Sequence, residues 1–244
     1  MFWHTFSDTL VMNIHIWFDL LSYVASALLF RSYFYQKDLL PNGELRWYYY
    51  TVVIVGFVVG AMALSLLNAY LSLGQWIVGK SVLGALFGAI VGIEFFKYFT
   101  GIKGSTGAYF VPSLALGIAI GRVGCFMMGL DDYTYGVESR LPWAVDFGDG
   151  VLRHPVQLYE SVMMFGFFLY SMWVYKHHRA YFEAKIFYLF VLFYATQRFI
   201  WEFLKPYETV VFGLNVFQII CLVLMVYAII YLKRSAHGTL FKKI

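Results

Sequence analysis

The chain is built from apolar stretches that each run for about twenty residues with few charges. A helix needs roughly 20 such residues to cross about 30 Å of hydrocarbon, whereas a transmembrane strand needs only about 9–11. About seven stretches reach the helical length. They lie near Ile14–Tyr35, Trp47–Leu71, Trp76–Phe99, Ala108–Leu130, Pro155–Tyr175, Ile186–Leu204 and Val210–Leu232. The expected fold class is therefore all-α: a polytopic membrane protein of about seven transmembrane helices, forming a single integral membrane domain over residues 1–244. Composition agrees. Hydrophobic residues make up 61% and charged residues 13% of the 244, against about 45–50% and about 25% in soluble domains. A soluble globular domain, a disordered chain and a disulfide scaffold are excluded. The net charge of +4 does not argue for a nucleic-acid partner, because in lipid the distribution of Lys and Arg counts for more than their sum. Cys125 and Cys221 lie in apolar segments with no ligand-spaced partner, so neither a disulfide nor a metal is expected.

The basic residues orient the bundle. Arg31, Lys37 and Arg46, then Lys97 and Lys103, then Lys176, Arg179 and Lys185, and finally Lys233, Arg234, Lys242 and Lys243 fall at one set of alternate ends. The other set holds only Arg140, Arg153 and Lys205. This asymmetry predicts the N-terminus outside and the C-terminus in the cytoplasm. The first residues, Met1 to Asp8, contain no Lys or Arg, so no cleavable signal peptide is expected there.

Ionisable groups inside spans are costly and are functional candidates by default. With this orientation, His15, Asp19, Lys80, Arg122, Gln157, Tyr159, Glu160, Arg198 and Glu202 all fall in the outer half of the membrane, and only Glu94 falls near the cytoplasmic end. Gln157 and Glu160 are spaced to share one helical face, and so are Arg198 and Glu202. Pairing between helices accounts for any one of these charges. The whole set at one depth points instead to a polar cavity open to the outer leaflet. Two buried arginines suit a phosphate, since guanidinium presents a planar fork of donors.

The longest connection, Asp131 to His154, is also placed outside. Its Leu141, Trp143 and Phe147 argue against disorder, and Leu141-Pro142 and Gly148-Asp149-Gly150 are turn signals. Residues 131–154 are expected to form a folded extracytoplasmic cap over the cavity. His154 stands at its rim, before a helix-opening Pro155. The segment Gly74 to Ser81 fits G-x-x-x-x-G-K-[ST]. That pattern signifies phosphate binding only between a soluble strand and a helix, so no nucleotide site is expected. Lys80 remains a point charge for a lipid phosphate. Gly84, Gly88 and Gly92 read as a close helix contact.

Four motifs occur in order: Gly121-Arg122-Val123-Gly124-Cys125-Phe126, Tyr135-Gly136, Arg153-His154-Pro155-Val156-Gln157-Leu158-Tyr159-Glu160, and Arg198-Phe199-Ile200-Trp201-Glu202-Phe203. In order and spacing they resemble the bacterial prolipoprotein diacylglyceryl transferase family, from the third span onward. The resemblance implies a multi-pass enzyme of the bacterial cytoplasmic (inner) membrane. Such an enzyme moves the diacylglyceryl group of phosphatidylglycerol, or another anionic phospholipid, to the lipobox cysteine of a prolipoprotein acceptor peptide, and glycerol phosphate leaves. It implies catalytic roles for Arg122 and Arg198 on the phosphate, with Glu202 orienting Arg198. Gln157, Tyr159, Glu160, Tyr135, Gly121 and Gly124 would line and brace the site, and no cofactor is implied. Three positions depart from the family pattern: Cys125 stands for an asparagine, Leu130 for an acidic residue, and Leu83-Gly84-Ala85 for a histidine-glycine-glycine segment. If that histidine is the thiol-activating base, a substitute is needed, and His154, Asp146 and Asp149 are the candidates. Cys125 reads either as a reactive thiol or as a small apolar filler. Two alternatives stand beside the transferase: a sister enzyme that uses the same lipid on a different acceptor, and a non-catalytic lipid-binding or lipid-transport protein.

Overall fold

The computed structural model describes residues 2–35, 43–76 and 79–236. Lys37, Ile77, Val78, Lys242 and Lys243 lie outside the described residues, as does the side chain of His15. The described chain is all-helical apart from one small hairpin. Its helices are α1 (Phe2–Tyr33), α2 (Glu44–Leu73), α3 (Val82–Thr100), α4 (Val111–Met128), α5 (Val156–His177), α6 (Arg179–Glu202) and α7 (Val216–Ala236). Among the described residues, four stretches are long and apolar enough to cross a membrane: Glu44–Leu71, Val82–Thr100, Ala108–Asp132 and Val216–Arg234. Helices α1, α5 and α6 are comparably long but carry more charged, Ser, Tyr and Trp positions.

Local chemistry moves three of the expected boundaries. Helix α3 starts at Val82 rather than near Trp76, because the Ser81 hydroxyl accepts the Gly84 N–H at 3.1 Å and caps it. Lys80 is left outside the helix and exposed. Helix α7 starts at Val216 rather than Val210. There Asn215 and Gln218 exchange side-chain-to-backbone bonds of 2.9 and 3.0 Å, a reciprocal capping box. Only His178 separates α5 from α6, so the expected loop from Lys176 to Lys185 is almost wholly helical.

The chain divides into two compact units. The first comprises 1–37, 109–182 and 200–206. In it α4 packs against both α1 and α5. Serine hydroxyls donate to α4 carbonyls across these contacts: Ser22 to Gly117 at 2.8 Å, Ser26 to Ser113 at 2.9 Å and Ser161 to Ala119 at 2.7 Å. Where lipid removes the hydrophobic drive between helices, small residues and such bonds supply the association. Gly124 belongs to this packing, since a Cβ there would lie 2.6 Å from Phe18 Cβ. Phe34, Tyr109, Tyr175 and Phe182 form an aromatic cluster, with the Arg179 guanidinium 4.1 Å from the Tyr175 ring centre.

This unit also holds the segment expected as a cap, and it is folded. Strands β1 (Val145–Asp146) and β2 (Leu152–Arg153) pair antiparallel, and Glu138 bridges to Arg153. Asp146 accepts the N–H groups of Gly148 and Gly150 at 2.8 and 3.0 Å, and both glycines have positive φ. Asp149 accepts the Arg153 guanidinium at 2.6 Å. Phe147 stacks edge-on against Phe126 of α4 at 5.6 Å.

The second unit comprises 38–108, 183–199 and 207–244. Helices α2 and α3 meet through glycines. A Cβ at Gly60 would stand 2.2 Å from the Gly84 carbonyl oxygen, and one at Gly88 would stand 2.1 Å from that of Gly56. Helix α7 packs on α3, where Glu94 accepts Lys97 at 2.8 Å, Tyr227 at 2.8 Å and Tyr231 at 2.7 Å. Glu94 thus pairs with Lys97 on its own helix and is tied to α7 by two neutral hydroxyls.

Two outcomes follow. Gly88→Val drives a side chain into backbone, so it should lower unfolding stability in detergent by about 1–3 kcal/mol; an unchanged denaturation midpoint would contradict the contact. The Arg153 guanidinium beside Asp149 holds its carboxyl below the ordinary aspartate value. The pair's contribution is present at neutral pH and is lost as acid carries the pH down through that lowered value. A carboxyl NMR titration should show Asp149 protonating at lower pH than a free aspartate, and Arg153→Gln should raise its midpoint.

Candidate functional site

In the first unit, three helices and a turn bring charge into the interior. Arg122 comes from the middle of α4 and is 6% exposed; Glu160 comes from the first turns of α5 and is 1% exposed. Glu160 Oε2 lies 2.6 Å from Arg122 Nε, and its Oε1 accepts Lys205 Nζ at 2.7 Å. Lys205 also lies 3.4 Å from Glu202. The expectation had Lys205 as an outer-loop cation, and the structure corrects this. The chain continues past α6 in a tight turn, with the Lys205 N–H on the Glu202 carbonyl at 3.2 Å, and the side chain turns fully inward. The signal was present in the sequence: Glu202 and Lys205 have the same three-residue spacing that linked Gln157 to Glu160.

The two cations and two carboxylates balance. Breaking such a buried set by deleting one member costs about 3–5 kcal/mol, because the partner is left buried and charged. Glu160 holds the Nε edge of Arg122 and so fixes the plane of its donor fork. The Arg122 Nη1 points to the Cys125 sulfur at 3.8 Å. Gln157, one turn before Glu160, is fully buried.

A second cluster surrounds Tyr159. Its hydroxyl accepts Trp143 Nε1–H from the hairpin segment at 2.8 Å and lies 3.4 Å from His154 Nδ1, and its ring sits 5.2 Å from that of Trp201. Backbone pairing explains why the Tyr135-Gly136 and His154 motifs travel together. Gly136 N–H donates to the His154 carbonyl at 3.2 Å, His154 N–H donates to Val137 at 3.1 Å, and Val137 N–H donates to Leu204 at 2.7 Å. A Cβ at Gly136 would lie 2.4 Å from the His154 oxygen. The Tyr135 ring carries the Arg153 guanidinium at 5.3 Å. Gly121 has open space where a Cβ would project.

The unit thus brings Arg122, Glu160, Glu202, Gln157, Tyr159, His154 and Tyr135 into one compact body and adds Lys205 and Trp143, which no motif singled out. Arg198 and Lys80 belong to the second unit. Arg198 is buried, with its guanidinium 5.4 Å from the Phe217 ring centre. Of the candidate bases, Asp146 and Asp149 are engaged in shaping the hairpin turn. Among the described residues, no three His, Cys, Asp or Glu side chains converge as a metal site requires.

The family model for prolipoprotein diacylglyceryl transferase matches residues 12–234. A Finegoldia magna protein named phosphatidylglycerol–prolipoprotein diacylglyceryl transferase is 35% identical over 121 residues, covering 50% of this chain and 47% of that one. A Dehalococcoides mccartyi protein of the same name is 28% identical over 158 residues, covering 62% and 59%. One from Bordetella parapertussis is 34% identical over 136 residues, covering 53% and 50%. The chain spans about half the length of the curated relatives it matches, and no solved structure matches it. With nearly its whole length under the family model, the chain belongs to the prolipoprotein diacylglyceryl transferase family.

Proposed function

We propose that the chain transfers the diacylglyceryl group of phosphatidylglycerol to a lipobox cysteine at the outer face of the bacterial inner membrane, as a seven-span bundle with its N-terminus outside. The buried Arg122–Glu160–Lys205 network carries this reading. In a chain so poor in charge, Arg122 and Lys205 are held inside by Glu160 and Glu202, and the donors of Arg122 that Glu160 does not take suit a phosphate, the anion a membrane lipid supplies. The acceptor thiol loses its proton to His154. Its sulfur attacks the glyceryl carbon as the bond from that carbon to the phosphate oxygen breaks. The electron pair leaves with glycerol phosphate. Arg122, held by Glu160, stabilises the charge growing on that oxygen. Tyr159, fixed by Trp143, takes the His154 Nδ1 proton as acceptor and leaves Nε2 free as the base. The segment 131–154 caps the site.

A second reading, transfer of the same lipid group to another acceptor, is favoured by one observation. Leu83, which stands where the family pattern has histidine, is a buried apolar residue.

Purified protein supplied with labelled phosphatidylglycerol and a lipobox peptide should yield a thioether product. Lipid turnover without that product would select the second reading. Arg122→Ala should lower turnover by about 10²–10³-fold while the protein still elutes as a folded species; wild-type turnover would remove Arg122 from the mechanism. His154→Ala should slow single-turnover transfer by about 10²–10⁴-fold and abolish the acid limb of the pH–rate profile. An unaltered profile would exclude it as the base.

A further inference from the structure

We propose that the second unit binds one water molecule near the C-terminal end of α3, as the junction of a hydrogen-bond network that spans four helices. Glu94, Lys97, Ser105, Thr106, Tyr188 and Tyr227 line a single hollow there. All of them belong to the second unit, and none takes part in the transfer reading. The hollow leaves about 10 Å³ for the centre of a water-sized molecule, and one water needs roughly 10–15 Å³ by that measure. Two polar groups on its wall, the Tyr188 and Ser105 hydroxyls, are buried with no hydrogen-bond partner among the described residues. Tyr188 is 1% exposed. Lys97 is buried as well and spends one of its three protons on Glu94. Thr106 accepts the Tyr49 hydroxyl at 3.0 Å and keeps its own proton to give.

Charge and space together select the occupant. Lys97 is answered by Glu94, whose oxygens also take the Tyr227 and Tyr231 hydroxyls. An anion would face Glu94 and a cation would face Lys97, so a neutral molecule of one heavy atom fits. Water has two protons and two lone pairs, and a buried water makes about three hydrogen bonds. Lys97 only donates and takes one lone pair; the hydroxyls of Ser105, Thr106 and Tyr188 each donate or accept and fill the other positions. Direct bonds alone leave the polar groups in two sets. One joins α2 to the loop after α3, through Tyr49 and Thr106, and the other joins α3 to α7 around Glu94. The water unites them and brings in α6 through Tyr188, whose ring stacks on that of Tyr231 at 5.1 Å. Between helices in lipid, such bonds supply association that the hydrophobic effect does not.

The test is thermal unfolding of the full chain in detergent, wild type against Tyr188→Phe, Ser105→Ala and the double variant. A buried hydroxyl with no partner costs stability, so deleting one would leave the midpoint unchanged or raise it. A hydroxyl held by the water loses a bond instead, so Tyr188→Phe should lower the midpoint by about 2–4 °C, and Ser105→Ala should lower it too. The two hydroxyls share no direct bond, so their losses add unless a molecule joins them. The loss in the double variant should therefore be smaller than the sum of the two single losses. A Tyr188→Phe midpoint at or above that of the wild type would overturn the site, and so would strict additivity. Should the double variant fail to fold, the sign of the Tyr188→Phe shift decides. A high-resolution density map of the purified protein should show one isolated peak in the hollow, within hydrogen-bond reach of Lys97 and Tyr188. No peak, or density continuous with a larger molecule, would overturn the site as well.

Discussion

Everything in the first unit turns on the cost of holding charge where little water reaches. Glu160 is a buried carboxylate whose two oxygens are taken by cations from two different parts of the chain, Arg122 on α4 and Lys205 beyond α6. None of the three is affordable alone in that setting, and together they tie α4, α5 and the end of α6 into one body. The geometry needed for function and the geometry needed for folding are therefore the same. The Arg122 fork is fixed in its plane because Glu160 must be neutralised. Glu160 is in place because α5 opens after Pro155, and α5 opens there because the preceding strand is pinned to Val137 and so to Leu204.

The second unit solves the same problem differently. Glu94 takes one cation and two phenolic hydroxyls, so its charge is met largely by neutral donors. Its helices approach through glycine rather than through ions: the carbonyls of Gly56 and Gly84 stand where a side chain on the facing helix would be. One unit spends polar groups on a site and the other on close packing.

Hydropathy made the helices legible in the sequence because lipid permits so few backbone solutions. Their ends were less so. Ser81 and the Asn215–Gln218 pair decide where α3 and α7 begin, and a window of averaged hydropathy does not register a cap made by one hydroxyl or amide. The spacing of Gln157 and Glu160 on one face of α5 was legible in the sequence, and both are buried with Arg122 in the first unit. Lys205 carried only its three-residue spacing from Glu202 as a signal, and a lysine just past a helix reads as solvated until the turn at Glu202 is seen to point it inward. Trp143 was noted only as an apolar loop residue; its indole N–H bond to Tyr159 depends on a hairpin that no local pattern specifies. Asp146 and Asp149 stand in the sequence as candidate bases, and the fold engages both in its own turn.

The single residue between α5 and α6 bears on how such a protein is made. Neither helix is among the stretches apolar enough to enter lipid by composition alone, and each carries an acid or base whose isolated exposure to hydrocarbon costs at least about 2.5–3.5 kcal/mol. With only His178 between them, the two leave the ribosome as one continuous pair. Glu160 of the first helix and Lys205, just past the second, neutralise each other in the finished fold, so insertion of the two helices together leaves neither charge alone among acyl chains.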